Sequence, residues 1–311
     1  MNLLTCAISL CDGIARYLDR LRRRGRASNT IKSYTTDLGQ YVLHVRDRAD
    51  ATLIALQSTR SVSAWLDRLS AEQVSPRSQA RKLVVLRGFF KYCKTEGWIG
   101  HDPTAGESVR FRSRRVTAPE MAALMAMVEG IGRNNRMDRR DRAMLRLALD
   151  GALRISEVAG LDIPGSGSQC TIDIKRQLVH VAGKGGDTQT VAVNERTIRA
   201  VEEWLQIRSG MAGEGETALF VSTRGTRLSR QSLHVICKRR GEAAGLPALH
   251  WHLLRHRRLG DVYEQLGPKI AQAHARHASG STTEQVYGAH SDSVTRALIR
   301  KHADVDVRAA A

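Results

Sequence analysis

The sequence predicts a mostly α-helical chain of two domains, with one small β-hairpin in the second. The chain has 311 residues, about twice the roughly 150 residues of a common domain. Apolar residues recur with helical spacing in most segments, whereas residues 177–193 alternate as strands do, around a glycine turn. The composition, 42% hydrophobic and 26% charged, excludes a wholly disordered chain.

The charge of the chain predicts a polyanionic partner. The formal net charge is +18, and self-repulsion of that size is unusual in an enzyme that acts on small molecules. Nucleic acid and an acidic membrane surface both fit the charge alone. No stretch approaches the roughly 20 apolar residues that span a bilayer, and the first ten residues lack the basic start of a signal peptide. We therefore expect a cytoplasmic, nucleoid-associated protein without a membrane partner.

The first domain is predicted to be helical. The apolar N-terminus is expected to open a helix that includes Ile14 and Tyr17. Ser28 is expected to cap a second helix, because apolar residues recur on one stripe after it. Ser75 followed by Pro76 marks another start, since a capping hydroxyl and a proline at the first helical position are typical of helix N-termini.

Basic residues make the first domain the expected DNA-binding part of the chain. Residues 1–115 carry 21 Lys and Arg against 10 Asp and Glu. The helix that follows Ser75 has a basic face, formed by Arg77, Arg81, Lys82, Arg87 and Lys91. This face either binds phosphates, as we expect, or is simply solvated. We place this domain at residues 1–110 and a basic linker at 111–116. The linker residues that could cross a DNA backbone are Arg112, Arg114 and Arg115.

The second domain is predicted to span residues 117–311 and to mix helices with a hairpin. Residues 117–120 have the spacing of a capping box before a helix. Residues 141–151 are helical in pattern, and 177–193 form the hairpin. Asn194 is expected to cap the helix that contains Ile198, Val201 and Trp204.

The cysteines and histidines give little support for a metal site. The cysteine count is five, with no C-x-x-C pair, so we expect small buried side chains in a reducing compartment. Five histidines lie close together in the sequence: His250, His252, His256, His274 and His277. Any three of them could in principle bind zinc. No Cys or carboxylate lies at ligand spacing, and we expect no metal and no organic cofactor.

Four short motifs follow one another in the second domain. They are Gly151-Ala-Leu-Arg-Ile-Ser-Glu157, Gly183-Lys-Gly185, His252-Leu-Leu-Arg-His256, and His277 followed by Ser281-Thr-Thr283 and Tyr287. Each motif alone is weak, but four in this order are hard to obtain by chance. The order and spacing resemble the tyrosine recombinase (phage integrase) family between about residues 120 and 290. The first domain resembles the helical core-binding domain of that family.

The resemblance implies a catalytic centre for DNA strand transfer. Arg154 and Arg255 match the arginines that hold the scissile phosphate, and Tyr287 matches the nucleophile that forms a 3′-phosphotyrosine. Lys184 matches the general acid that protonates the leaving 5′ oxygen.

Three further residues are implied to support that centre. His252 and His277 match the two histidines that bind the phosphate or move protons, and Glu157 matches an acidic residue that orients Arg154. The scheme needs no cofactor. It further implies a C-shaped clamp, a C-terminal helix exchanged between protomers, and a homo-tetramer on double-stranded DNA with paired inverted repeats.

The sequence departs from the family pattern around the second histidine. Arg257-Arg258-Leu259-Gly260 stands where small or hydroxylated residues are usual, and Ala275-Arg276 stands where Leu-Gly is common. Ten positions separate His277 from Tyr287, where nine are frequent. Tyr263 is the other tyrosine of this region, and we expect it in the core.

The sequence leaves two other functions open. One is a catalytically decayed protein that binds DNA for an architectural purpose, although all six catalytic matches are present. The other is a type IB topoisomerase, which shares the tyrosine chemistry but relaxes supercoils as a monomer. For the recombinase, the sequence does not distinguish integration, excision, or resolution of a mobile element or of chromosome dimers.

Overall fold

The computed structural model describes residues 8–46, 53–54, 57–111, 118–183 and 187–276. Lys184, Arg112, Arg114, Arg115, His277 and Tyr287 lie outside these ranges. The chain divides into two compact units, residues 1–115 and 116–311, and each is described by itself below. None of the described helices is both long and apolar enough to cross a membrane.

Helices make up the described part of the first unit. Ser75 accepts a hydrogen bond from the Ser78 backbone N–H, and Pro76 opens the helix, which confirms the predicted start. Ser9 and Ser58 cap two other helices in the same way. The helices are α1 (Leu10–Arg23), α2 (Ser28–Arg46), α3 (Thr59–Ala71) and α4 (Pro76–Thr95).

Aromatic side chains fill the core of this unit. Tyr41 packs edge-on against Trp65 at a centroid distance of 5.2 Å and against Phe90 at 6.0 Å. All three are buried. The Tyr41 hydroxyl donates to Gln57 Oε1 at 2.7 Å, so its one polar atom is satisfied inside the core. These contacts join α2, α3 and α4 into one hydrophobic core.

The second unit combines helices with a three-stranded antiparallel sheet in the order β1-β2-β3. Ala182 pairs with Thr188, so the strand pairing of the predicted hairpin is confirmed, while residues 184–186 of its predicted turn lie outside the described ranges. Asn194 accepts from the Thr197 N–H at 2.9 Å and caps α8, also as predicted. The elements are α5 (Met121–Glu129), α6 (Arg136–Asp150), α7 (Ile155–Ala159), β1 (Ile172–Asp173), β2 (Leu178–Ala182), β3 (Thr188–Ala192), α8 (Glu195–Arg208), α9 (Arg230–Ala243), α10 (Trp251–Leu266) and α11 (Pro268–Ala275).

Helix α6 is the centre of the second unit. Its residues from Arg140 to Asp150 are all buried, and α5, α7, α8 and α10 pack around it. Asp141 on α6 is fully buried and binds the guanidinium groups of Arg140 and Arg240. Trp251, the first residue of α10, donates its indole N–H to the Leu153 carbonyl at 3.0 Å. These contacts fix α10 against the segment that follows α6.

Three local predictions were wrong. Ser28 is the first residue of α2 and not its cap, because the Ala27 carbonyl accepts the first backbone hydrogen bonds. Glu120 occupies the N-cap of α5 without a side-chain cap, so the capping box expected at 117–120 is absent among the described residues of that segment. Tyr263 is 57% exposed, because the buried face of α10 holds Val262 and not its neighbour.

The cysteines differ in their surroundings. Cys93 and Cys237 are buried, and burial raises the pKa of each thiol to about 12. Cys170 is half-buried and Cys11 is exposed, so the expectation of burial is wrong for these two. Cys6 lies outside the described residues.

Candidate active site

Two left-handed turns bring the candidate arginines together. The first turn follows α6, where Ala152 has φ 46°, and it leads to Arg154 at the N-cap of α7. The second ends α11, where Arg276 has φ 51° and ψ 47°. Arg255 lies in the second turn of α10, in contact with both left-handed turns. Three guanidinium groups therefore meet where α6, α10 and α11 come together.

Glu157 fixes Arg154. The Arg154 backbone N–H donates to Glu157 Oε2 at 2.7 Å, and Arg154 Nη1 donates to Glu157 Oε1 at 2.7 Å. The three-residue spacing puts the carboxylate over the N-terminus of its own helix, where negative charge is favourable. The Arg154 side chain is 41% exposed, so one side of its guanidinium faces solvent.

Arg255 is held by backbone carbonyl groups. Its Nη1 donates to the Ala152 carbonyl and its Nη2 to the Ala275 carbonyl, and the residue is only 3% exposed. Burial, together with the charges of Arg154 and Arg276, lowers the pKa of Arg255 to about 10. The group remains a cation at neutral pH but lacks a carboxylate of its own among the described residues.

Arg276 is a site residue that sequence reasoning missed. Its side chain is 5% exposed, and Nη2 donates to Glu157 Oε2 at 2.7 Å. Nη1 lies 3.4 Å from the Gly151 carbonyl oxygen. Burial lowers the pKa of Arg276, which the Glu157 carboxylate partly offsets. The signal was present in the sequence, since Arg276 stands at one of the departures from the family pattern.

The electrostatic balance of this centre is positive. Among the described residues, Glu157 is the carboxylate that pairs with Arg154 and Arg276, and no acidic group pairs with Arg255. Guanidinium groups offer planar, permanently charged donors that suit phosphate oxygens. The arrangement of Arg154, Arg255 and Arg276 can therefore bind an oxyanion.

The candidate histidines differ in access. His252 is exposed on the first turn of α10 and lines an open groove of about 420 Å³ together with Arg255, His256 and Tyr263. His274 is 3% exposed, and burial lowers its pKa well below the usual value, with a further contribution from Arg258. The structure thus brings His252 to the groove beside Arg255. It holds no group of three His, Cys, Asp or Glu able to bind a metal within the described ranges.

The basic face predicted on α4 is only partly free. Arg77 and Lys91 are exposed. Arg81 is exposed too, but its guanidinium binds both carboxylate oxygens of Asp37. Lys82 is 7% exposed and its ammonium lies 2.9 Å from Asp37 Oδ1. The placement of Lys82 on a solvent face is therefore wrong.

Arg87, another residue of that face, is also bonded within its own unit. It is exposed and donates to the Glu107 carbonyl at 2.8 Å. The bond uses Nη2, and the rest of the guanidinium stays at the surface.

Comparison with protein families gives two matches along the chain. Residues 114–293, more than half of the chain, match the phage integrase family, and residues 14–97 match the phage integrase N-terminal SAM-like domain. The chain belongs to the phage integrase family. It is a tyrosine recombinase.

Curated relatives of this recombinase carry the same enzyme name. Tyrosine recombinase XerC of Pseudomonas putida strain F1 is 31% identical over 274 residues, which cover 87% of this chain and 89% of the relative. Tyrosine recombinase XerC of Azotobacter vinelandii is also 31% identical over 274 residues, with the same coverage. The similarity therefore extends over both units of the chain.

Solved structures of the recombinase fold also match. A lambda integrase dimer bound to a COC′ core site superposes with a TM-score of 0.67 at 17% identity, covering 90% of this chain and 77% of that one. The Tn1549 transposon integrase in complex with circular intermediate DNA gives a TM-score of 0.70 at 16% identity, covering 94% and 99%. These matches confirm the fold class predicted from the sequence.

Proposed function

We propose that this recombinase cleaves and rejoins DNA at specific sites through a 3′-phosphotyrosine intermediate. The observation that carries the proposal is the positive centre formed by Arg154, Arg255 and Arg276 around Glu157. A phosphodiester is an oxyanion of the shape that paired guanidinium groups recognise. The charge of +18 suits a polyanionic substrate.

Arg154 and Arg255 are assigned to the non-bridging oxygens of the scissile phosphate. Arg255 is fixed by two carbonyl groups before substrate arrives, and Arg154 by Glu157. Preorganised donors stabilise the extra charge of the pentavalent phosphorus without reorganisation at the moment of reaction. A bound phosphate would also relieve the repulsion that lowers the pKa of Arg255.

Tyr287 is assigned as the nucleophile. Its phenol oxygen forms a bond to phosphorus while the bond from phosphorus to the 5′ oxygen breaks. A histidine, His252 or His277, takes the phenol proton, and Lys184 gives a proton to the leaving oxygen. The 5′ hydroxyl of another strand then attacks the phosphotyrosine, which regenerates the phenol and reseals the DNA.

Paired inverted-repeat sites and a homo-tetramer complete the proposal. A solved lambda integrase tetramer bound to a Holliday junction has a fold similar to this chain, with a TM-score of 0.64 at 16% identity. Exchange of strands between two duplexes needs four sites, so we propose four protomers on DNA. We propose that basic residues of the first domain and of the linker contact phosphates, namely Arg77, Arg81, Arg87, Lys91, Arg112, Arg114 and Arg115.

Two assays test the proposal. Binding sites are first selected from random-sequence DNA with the full chain. A plasmid that carries two copies of the selected site is then incubated with the enzyme or with Tyr287→Phe. We expect deletion or inversion products with the wild type and none with Tyr287→Phe, which keeps DNA binding because it removes one oxygen.

The alternatives give different products in the same assay. Relaxed plasmid without any exchange of segments would favour a type IB topoisomerase. Site-specific binding with neither product would favour the decayed, architectural protein. Either result with an active preparation would overturn the proposed function.

A further inference from the structure

The end of α11 supplies backbone carbonyl groups to both candidate arginines. Arg255 Nη2 donates to the Ala275 carbonyl, and Arg154 Nη2 lies 3.5 Å from the Arg276 carbonyl oxygen. The carbonyl groups at a helix C-terminus carry partial negative charge and attract cations. The orientation of both guanidinium groups therefore depends on where the last turn of α11 lies.

The side chain of Arg276 ties that turn to the segment after α6. Nη2 binds Glu157 Oε2 at 2.7 Å, and Nη1 reaches the Gly151 carbonyl at 3.4 Å. Glu157 in turn holds Arg154 through its other oxygen. Arg276 thus connects, through one guanidinium, the two segments that provide the carbonyl partners of Arg255.

The backbone of Arg276 makes this role more specific. Its φ of 51° lies in the left-handed region, a backbone conformation that residues other than Gly, Asn and Asp seldom adopt. Glycine would occupy the turn without strain. An arginine here is explained by its buried side chain, which is 5% exposed. That side chain reaches Glu157, the Gly151 carbonyl and, at 3.3 Å, the His274 carbonyl of its own helix.

We propose that Arg276 is a positioning residue for the recombination centre, which acts through Glu157 and the end of α11 to align Arg154 and Arg255 on the phosphate. The inference rests on the proposed function, because the phosphate is that of the scissile strand. Arg276 need not touch the phosphate itself. Its loss should slow the chemical step and leave DNA affinity unchanged.

The principal test is Arg276→Gly in the full-length protein. Glycine keeps the left-handed turn without strain and removes the guanidinium. Because the buried Glu157 carboxylate then loses one of its two arginine partners, we expect a lower melting temperature, and the rate is measured at a temperature where both proteins are folded. We expect the single-turnover rate of covalent adduct formation at saturating DNA to fall at least about tenfold. The Kd for the selected DNA site should change by less than about twofold.

The matched control is Gln73→Gly. Gln73 is exposed in the first unit and has a φ of 57°, so this variant removes a left-handed non-glycine residue far along the chain from the centre. Its cleavage rate should equal that of the wild type. Arg276→Lys keeps one positive charge near Glu157 and should recover part of the rate lost in Arg276→Gly.

A double-variant comparison tests the route through Glu157. Because both residues act in one contact, the double variant Glu157→Gln, Arg276→Gly should form the covalent adduct at a rate within about twofold of the slower single variant. Losses that multiply would contradict the inference. So would a rate in Arg276→Gly within about twofold of wild type, a change confined to Kd, or no recovery in Arg276→Lys.

The assay separates this inference from the proposed function. The rate counts all protein joined to the 3′ end of DNA, whichever residue carries it. An adduct on a residue other than Tyr287 would overturn the proposed mechanism. The ratio of the adduct-formation rates of Arg276→Gly and wild type would still report the alignment of the arginines. An adduct on Tyr287 that forms at equal rates in both proteins would overturn only the role of Arg276.

Discussion

Replacement of the two candidate arginines by lysine should separate catalysis from stability. Arg255→Lys keeps a positive charge but loses the fork that reaches the Ala152 and Ala275 carbonyl groups. Both alanines are buried, so an abandoned carbonyl has little access to water. One unsatisfied buried acceptor costs about 1–3 kcal/mol, and we expect the free energy of unfolding of the second unit to fall by that amount.

Arg154→Lys should be much milder for folding. The Arg154 side chain is 41% exposed, so water can replace part of its contacts. Lysine also keeps a positive charge beside the buried Glu157 carboxylate, which Arg276 still pairs, so we expect a smaller loss of stability than in Arg255→Lys. Both variants lose the planar fork that suits a phosphate. Cleavage should therefore fall at least about a hundredfold in each, which corresponds to about 2.7 kcal/mol of transition-state stabilisation.

The assay combines denaturant unfolding with single-turnover cleavage of the selected DNA site. The comparison of the two variants is its own control, because they share the same chemical change at different burial. Wild-type cleavage in both variants would refute the assignment to the phosphate. A larger loss of stability in Arg154→Lys than in Arg255→Lys would refute the structural reasoning.

Three further outcomes are expected. The logarithm of the DNA-binding constant should fall with the logarithm of the salt concentration, with a slope near −0.9 per phosphate neutralised. Arg77→Ala or Lys91→Ala should each reduce that slope by about the contribution of one phosphate. An affinity independent of salt between roughly 50 and 200 mM would contradict this. Cleavage should persist in excess EDTA, whereas activity that is lost and restored by zinc alone would point to a histidine metal site. Burial lowers the pKa of His274 well below 6.5 in the folded protein. On acidification, His274 is therefore protonated first in the unfolded chain. The free energy of unfolding should fall as the pH drops through about 6.5, by up to about 2 kcal/mol at pH 5. Unfolding of His274→Asn should show a flatter pH dependence between pH 7 and 5, and an unchanged slope would contradict the role of His274.

Local signals account for what the sequence predicted well. The hairpin at 177–193, the cap at Asn194 and the start at Ser75-Pro76 are each specified by residues next to one another in the chain. The pair Arg154 and Glu157 is three residues apart on one helical turn, so its contact also follows from spacing.

Long-range contacts account for what the sequence did not reveal. Lys82 read as part of a basic face, but its partner Asp37 lies 45 residues earlier, and no local pattern shows that contact. Tyr263 was misplaced because a shift of one position around a helix turns a side chain by about 100°. Arg276 was recognised as unusual, yet its contact with Glu157 spans 119 residues and depends on how α11 meets α7.

Identification of the residue that becomes joined to DNA tests the central claim most directly. The full chain is incubated with a duplex of the selected site, nicked beside the cleavage point so that a short 5′-hydroxyl fragment diffuses away and the adduct accumulates. Peptide mapping should find the 3′-phosphate on Tyr287, and Tyr287→Phe should bind the duplex and form no adduct. An adduct on Tyr263 or on a serine, or one that still forms in Tyr287→Phe, would contradict the mechanism.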